Sequence, residues 1–188
     1  MLDLSSLKMR TYKDSFFSRF FGVARFLYLK MRYGSRFQFK SIGLVGRNTR
    51  IYIEGNLKLG EKVCFGENCF IDLKGQVKIG SNCFFNDNLR MVCHEEIEIG
   101  DNVLVGPNVS FYDHDHDYII ENDSLAFKGF VISKIMIGDN IWIGENVKIL
   151  KGIKIGNNAI IGASSVVASD ISSNSLMTGV PAIKVRDL

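Results

Sequence analysis

Nothing in this sequence stays apolar for the roughly 18 residues that a membrane-crossing helix needs, so no span is expected. The uninterrupted apolar segment and small-residue cleavage site of a secretory signal are also missing, which sets the expectation of a cytoplasmic protein. Cysteine is sparse, and Cys64, Cys69, Cys83 and Cys93 form no Cys-x-x-Cys pair. Their simplest reading is as buried, reduced thiols. A large charge of either sign is absent: the net charge over 188 residues is +3, too little to imply a nucleic-acid partner. Histidine is limited to His94, His114 and His116, and tryptophan to Trp142. The length fits one domain with a sizeable core.

What is present is a repeat. From Phe37 to His116 the chain recurs every 20 residues, with rows starting at Phe37, Leu57, Val77 and Ile97. Phe39, Leu59, Ile79 and Ile99 share one column; Val45, Phe65, Phe85 and Val105 share a second; Ile51, Ile71, Met91 and Phe111 share a third. Asn48, Asn68, Asn88 and Asn108 fall in register between the second and third columns. After Ser133 a plain hexad returns at Ile137, Ile143, Ile149, Ile155, Ile161 and Val167. Neither an amphipathic helix nor an ordinary strand places one aliphatic side chain every six residues. A coil with three flat faces does, with a short strand and a corner in each hexad. Gly and Asn suit the corners because they tolerate positive φ. The pattern predicts a parallel β-solenoid whose coils stack at about 4.8 Å, with an Asn ladder available along one edge.

Around this core, residues 1–36 read as a helical extension and 37–188 as the solenoid, interrupted by one excursion loop over 117–134. A non-repeating insertion of that length in a regular stack marks a functional loop beside a cleft. Nine of the basic residues lie within residues 1–40 against Asp3 and Asp14, leaving the solenoid net acidic. The extension has two readings: a cap on the open end of the stack, and an interfacial helix on anionic lipid at the inner membrane face.

These hexads resemble those of the left-handed β-helix, or hexapeptide-repeat, acyltransferase superfamily, over about residues 37–185. The resemblance implies an all-β, left-handed parallel β-helix; the general rule for parallel crossovers would give the other hand. Within the superfamily the chain is similar to the sugar and exopolysaccharide O-acetyltransferases. In Asp113-His114-Asp115-His116-Asp117, His116 lies 15 residues after Asp101, the offset of the catalytic histidine in the galactoside and exopolysaccharide acetyltransferases. A hydroxyl attacking a thioester needs a base near neutral pKa, and imidazole suits that task. Asp113, Asp115 and Asp117 are all candidates to orient the ring. His114 is the alternative base, although its register with His94 also suits a ladder position.

The same resemblance places acetyl-CoA in a groove bordered by Trp142, Gly144, Gly162, Ala163 and Ser164, with the Glu145 backbone N–H facing the tetrahedral oxyanion. Thr178-Gly179-Val180-Pro181-Ala182 is similar to the exit motif near the coenzyme's adenine, with Pro181 and Lys184 as contacts. Where the family often has Thr-Lys or Thr-Arg, this chain has Ala168-Ser169 before Asp170. Asn86 stands where Gly46, Gly66 and Gly106 hold its column and matches an acceptor-site asparagine. His94, His114 and Asp115 complete the acceptor side. His94 replaces an Asp of the galactoside enzymes, so a different acceptor is expected.

The implied function is acetyl transfer to a sugar hydroxyl in cell-surface polysaccharide synthesis, by a homotrimer with sites between subunits and without a metal. An N-acetyltransferase acting on an amino sugar is the alternative on the same scaffold. A γ-carbonic-anhydrase-like zinc enzyme would need all three histidines as ligands, and His114 and His116 are too close in sequence for that class. A scaffold that has lost coenzyme binding is the non-catalytic alternative.

Overall fold

The computed structural model describes residues 16–188. Three sheets form the faces of a prism, six, eight and six strands deep. The first starts at Phe37–Phe39, the second at Leu44–Val45 and the third at Arg50–Ile53; the six coils from Phe37 to Val167 give one parallel strand to each face, and the second sheet gains two more strands at its far edge. The register follows the repeat: Phe37 pairs with Leu57, Leu44 with Cys64 and Ile51 with Ile71. Beyond the excursion the coils shorten, and Met136 pairs with Lys154.

The apolar columns line the inside. Ile97, Val105, Phe111, Ile143, Ile149 and Ile161 are wholly buried. Each such side chain is worth about 1.5–3 kcal/mol relative to exposure, so a column contributes strongly even though each strand is short. Cys69, Cys83 and Cys93 are buried in this core and all four cysteines are unbridged. Burial pushes the Cys83 thiol up to about 12, and pushes the Cys93 thiol up as well, helped by the adjacent Asp113 charge.

Asparagine makes the corners. Asn48, Asn68, Asn88 and Asn108 all adopt left-handed φ, from 54 to 60, at the small steric cost that Asn allows. The expected ladder is present between Asn48 and Asn68. A longer one runs along the preceding edge, from Asn82 through Asn102, Asn140 and Asn158 to Asn174, at 2.9–3.2 Å. Lys62 holds the same left-handed corner in the coil before Asn82 and leaves the column without its amide there.

The first coil is capped by the helix Phe16–Tyr33, followed by a 3₁₀ turn, Gly34–Arg36. Phe26 packs on Phe37 and Phe39, with ring centroids 5.1 and 4.8 Å apart. Gly43 admits that ring, since a Cβ there would lie 2.8 Å from Phe26 and 2.1 Å from the Val63 carbonyl. Tyr33 Oη donates to Ile51 O at 2.8 Å. The cap reading therefore describes this helix. The part of the extension over residues 1–15 lies outside the described residues.

The excursion, expected as a loop over 117–134, is a β-hairpin. His114–Glu121 pairs antiparallel with Ser124–Ile132. Its two-residue turn, Asn122-Asp123, has φ of 49 and 57, the left-handed pair that a tight hairpin requires. Strand Ala182–Asp187 folds back antiparallel on Ser175–Gly179 and closes the far edge of the second sheet.

Candidate active site

Outward-facing residues of the second sheet form an apolar row in register: Leu104 beside Trp142, Trp142 beside Ile160. At the corner that follows, Asn86, Gly106, Pro107, Gly144, Glu145, Gly162 and Ala163 join them around a groove of about 450 Å³. Six sequence-identified residues thus meet in one place: Asn86, Trp142, Gly144, Glu145, Gly162 and Ala163. Leu104 and Ile160, the groove's apolar neighbours of Trp142, were not anticipated. Extending the outward columns of the repeat would have found them.

The groove contains an open donor. Among the described residues the Glu145 backbone N–H meets no acceptor, although its carbonyl accepts from Ser164 N at 2.8 Å. Gly106 keeps that amide accessible, because a Cβ there would lie 2.8 Å from Glu145 N. An unsatisfied backbone donor beside an apolar wall can bind a developing oxyanion. The Glu145 carboxylate faces the corner ladder instead, accepting from Asn108 Nδ2 at 3.4 Å. Asn86 Oδ1 accepts from Asp87 N at 2.9 Å.

Ser164 lies just outside this lining, on a left-handed corner where its Oγ accepts from Asn146 Nδ2 at 3.3 Å. Pro181 and Lys184 are also outside it. Pro181 is exposed in the turn before the last strand, and the Lys184 ammonium pairs with Asp187.

The histidines gather at a different edge, where the third sheet turns toward the first. His94 and His114 stack face to face, with centroids 3.8 Å apart and planes within 2°. Phe130, from the second strand of the hairpin, sets its edge against both rings at 4.5 and 5.2 Å. His116 is exposed and lies 5.1 Å from Phe130 and 5.6 Å from Phe127. Phe127 and Phe130 were missed in the sequence because their relation to the histidines depends on the hairpin register, which pairs His116 with Phe130.

Of the three aspartates, the buried one, Asp113, engages a ring, and the ring is that of His114. Its Oδ1 is 3.1 Å from His114 Nδ1. The same carboxylate accepts from His94 N and Glu95 N at 2.7–2.9 Å. Asp115 pairs instead with Lys151 Nζ at 3.0 Å. The stacked pair speaks against the zinc reading. Imidazole lone pairs lie in the ring plane, and two parallel planes 3.8 Å apart do not aim them at one ion.

Residues 134–169 match the family model described as bacterial transferase hexapeptide (six repeats). The hexads of this stretch are those of the hexapeptide-repeat transferases. No curated protein gives a significant match. Among solved structures, AntD, an N-acyltransferase from Bacillus cereus in complex with dTDP and 3-hydroxybutyryl-CoA, is 22% identical. That alignment covers 86% of this chain and 87% of that one, with a TM-score of 0.71. A hexapeptide-repeat-containing acetyltransferase from Vibrio cholerae is 24% identical, covering 88% and 81%, with a TM-score of 0.53. A maltose O-acetyltransferase from Clostridium difficile 630 is 30% identical, covering 95% and 79%, with a TM-score of 0.48. The likeness is one of fold: the prism is a left-handed β-helix, as the resemblance implied.

In this hexapeptide-repeat protein the histidine edge is also a pH-sensitive seam. Burial, then the neighbouring His114 and Lys74, lower the His94 imidazole below its ordinary 6.5. The folded state therefore binds the proton less readily than the unfolded chain. The part of its stability that depends on this ring is fully present above about pH 6.5 and is lost as the pH falls through that value toward the depressed one. Thermal melts between about pH 7 and pH 5 are expected to show a smaller acid-induced drop for His94→Gln than for the wild type. Equal drops would remove His94 as the cause.

Proposed function

We propose that the chain transfers an acetyl group from acetyl-CoA to a sugar hydroxyl, with His116 of one copy serving the groove of the next. The observation that supports this is the separation of the two halves of the site. From Pro107 at the groove corner to Asp113 at the histidine edge the chain crosses one whole face of the prism, six residues that would span at most about 20 Å at ~3.3 Å per residue. No proton transfer bridges that distance within one prism. A second prism laid beside the first brings its groove to the histidine edge, and three copies in a closed ring repeat the contact.

His116 takes the proton of the acceptor hydroxyl as its oxygen bonds to the thioester carbonyl carbon. The Glu145 N–H stabilises the resulting oxyanion. His116 then returns the proton to the departing sulfur as the carbon–sulfur bond breaks, releasing an acetyl ester and free coenzyme A. Trp142, Gly162 and Ala163 hold the donor arm, and Asn86, with the His94–His114 stack and Asp115, borders the acceptor. Cell-surface polysaccharide intermediates are the acceptor class this reading favours. An amino-sugar acceptor, which would give an amide, is the second reading. AntD, whose fold this chain shares, is an N-acyltransferase.

The decisive experiment measures thiol release from acetyl-CoA against a panel of nucleotide sugars, amino sugars and oligosaccharides. Release with a hydroxyl acceptor and an ester product supports the first reading, and an amide product the second. No release with any acceptor, together with no acetyl-CoA binding, leaves only the scaffold.

Trp142 provides an internal probe of the donor half, because it is the only tryptophan and stands half-exposed in the groove. Acetyl-CoA is expected to shift its fluorescence saturably. Trp142→Ala, followed by calorimetry, is expected to weaken binding about tenfold, as loss of an aromatic anchor does. Unchanged affinity would place the coenzyme elsewhere.

A further inference from the structure

The helix Phe16–Tyr33 has two apolar faces, and the prism covers one. Gly22, Phe26 and Leu29 are buried against the first coil. On the other side Phe20, Phe21, Ala24, Leu27, Tyr28 and Met31 fall within an arc of about 120° at 3.6 residues per turn, with no charged side chain among them. Phe20, Phe21, Tyr28 and Met31 are 59%, 53%, 51% and 78% exposed. Arg19 and Lys30 flank the stripe on one margin, Arg25 and Arg32 on the other.

These cations are not neutralised by carboxylates. From Ser15 to Ile53 the sequence has no Asp or Glu and eight Lys or Arg. Lys30 Nζ donates to the carbonyls of Gly34 and Phe37, Arg25 Nη1 donates to that of Val45, and the Arg32 guanidinium lies 5.2 Å from the Tyr33 ring centroid. Among the described residues no ion pair involves any of the four.

The charge pattern identifies what fits. A second copy laid stripe to stripe would bring cationic margins against cationic margins. An anionic bilayer matches both features, with acyl chains for the stripe and acidic headgroups for its margins. No helix among the described residues is long and apolar enough to cross a membrane, so the contact is with the surface. We propose that this face docks the protein flat on an anionic lipid bilayer, with the capped end of the prism toward the headgroups. The proposal goes beyond the acyl-transfer reading and does not depend on it.

The test is co-sedimentation of the full chain with phosphatidylcholine–phosphatidylglycerol vesicles and with pure phosphatidylcholine vesicles, at low and high salt. Binding is expected with the anionic vesicles alone and should weaken with salt. Phe20→Ser with Phe21→Ser is expected to lower the partition coefficient about tenfold or more, and Arg19→Glu with Arg32→Glu to abolish the preference for anionic lipid. Tyr28→Ser with Met31→Ser repeats the apolar test at the other end of the stripe, should the first pair perturb folding. Wild-type protein that stays in the supernatant, or variants that sediment equally, would overturn the proposal. So would light scattering that shows the serine variants losing oligomer mass, which would place the stripe between copies. Acetyl-CoA binding followed through Trp142 is expected to be unchanged in every variant, keeping this result separate from the groove assignment.

Discussion

His116→Ala is expected to lower turnover by about a thousandfold, within the range that a positioned acid–base group contributes, while acetyl-CoA binds as before. His116 sits exposed on the hairpin against Phe127 and Phe130 and has no place in the prism core. Its removal should leave the melting temperature nearly unchanged. The groove stands at another edge of the same chain, so donor affinity read through Trp142 should not move. Initial rates of thiol release supply the first quantity and the fluorescence titration the second. His114→Ala is the control. Its ring is pinned by Asp113 and stacked on His94, so its loss should perturb the corner more than the chemistry. An active His116→Ala beside an inactive His114→Ala would move the base to His114, which the Asp113 contact makes the second choice. If both variants kept full activity, neither His114 nor His116 would be the base.

The prism was legible because its physics is periodic. A coil with three faces must bury one aliphatic side chain per face, and the columns led by Phe39, Val45 and Ile51 record that demand without interruption. The residues named from the sequence meet at one corner because the glycine column runs on from Gly106 through Gly144 to Gly162, and Asn86 is the place where that column lacks its glycine. The hairpin was not legible. His114 to Glu121 mixes charged and apolar residues with no clean alternation, since neither of its faces is buried by the prism. What identifies it is the Asn122-Asp123 turn. The long Asn ladder was obscured because Lys62 breaks its column at the start. The donor-side assignments at Pro181 and Lys184 came from motif likeness alone, and the Lys184–Asp187 pair adds a competitor for any phosphate.

Asp113 carries the second large effect, and its role follows from the hairpin. In the preceding coils the corner amides bond to the carbonyl one coil on: Glu54 N and Gly55 N to Leu73 O, Lys74 N and Gly75 N to Cys93 O. For His94 N and Glu95 N the corresponding carbonyl belongs to Asp113, but the chain departs there into the hairpin and that oxygen accepts from Ser133 N at 2.8 Å. The Asp113 carboxylate, wholly buried, takes both orphaned amides itself and holds His114 as well. Asparagine offers one oxygen and turns an N–H toward a donor, so Asp113→Asn should cost about 3 kcal/mol. For a chain of this length that is a fall of roughly 10 °C in melting temperature. Turnover measured well below the transition then separates the two imidazoles. With His116 as the base, the folded variant keeps activity within a few-fold of wild type. With His114 as the base, losing the carboxylate that orients its ring lowers turnover by about a hundredfold or more. A melting temperature within a degree or two of wild type would mean that the corner amides are satisfied without Asp113.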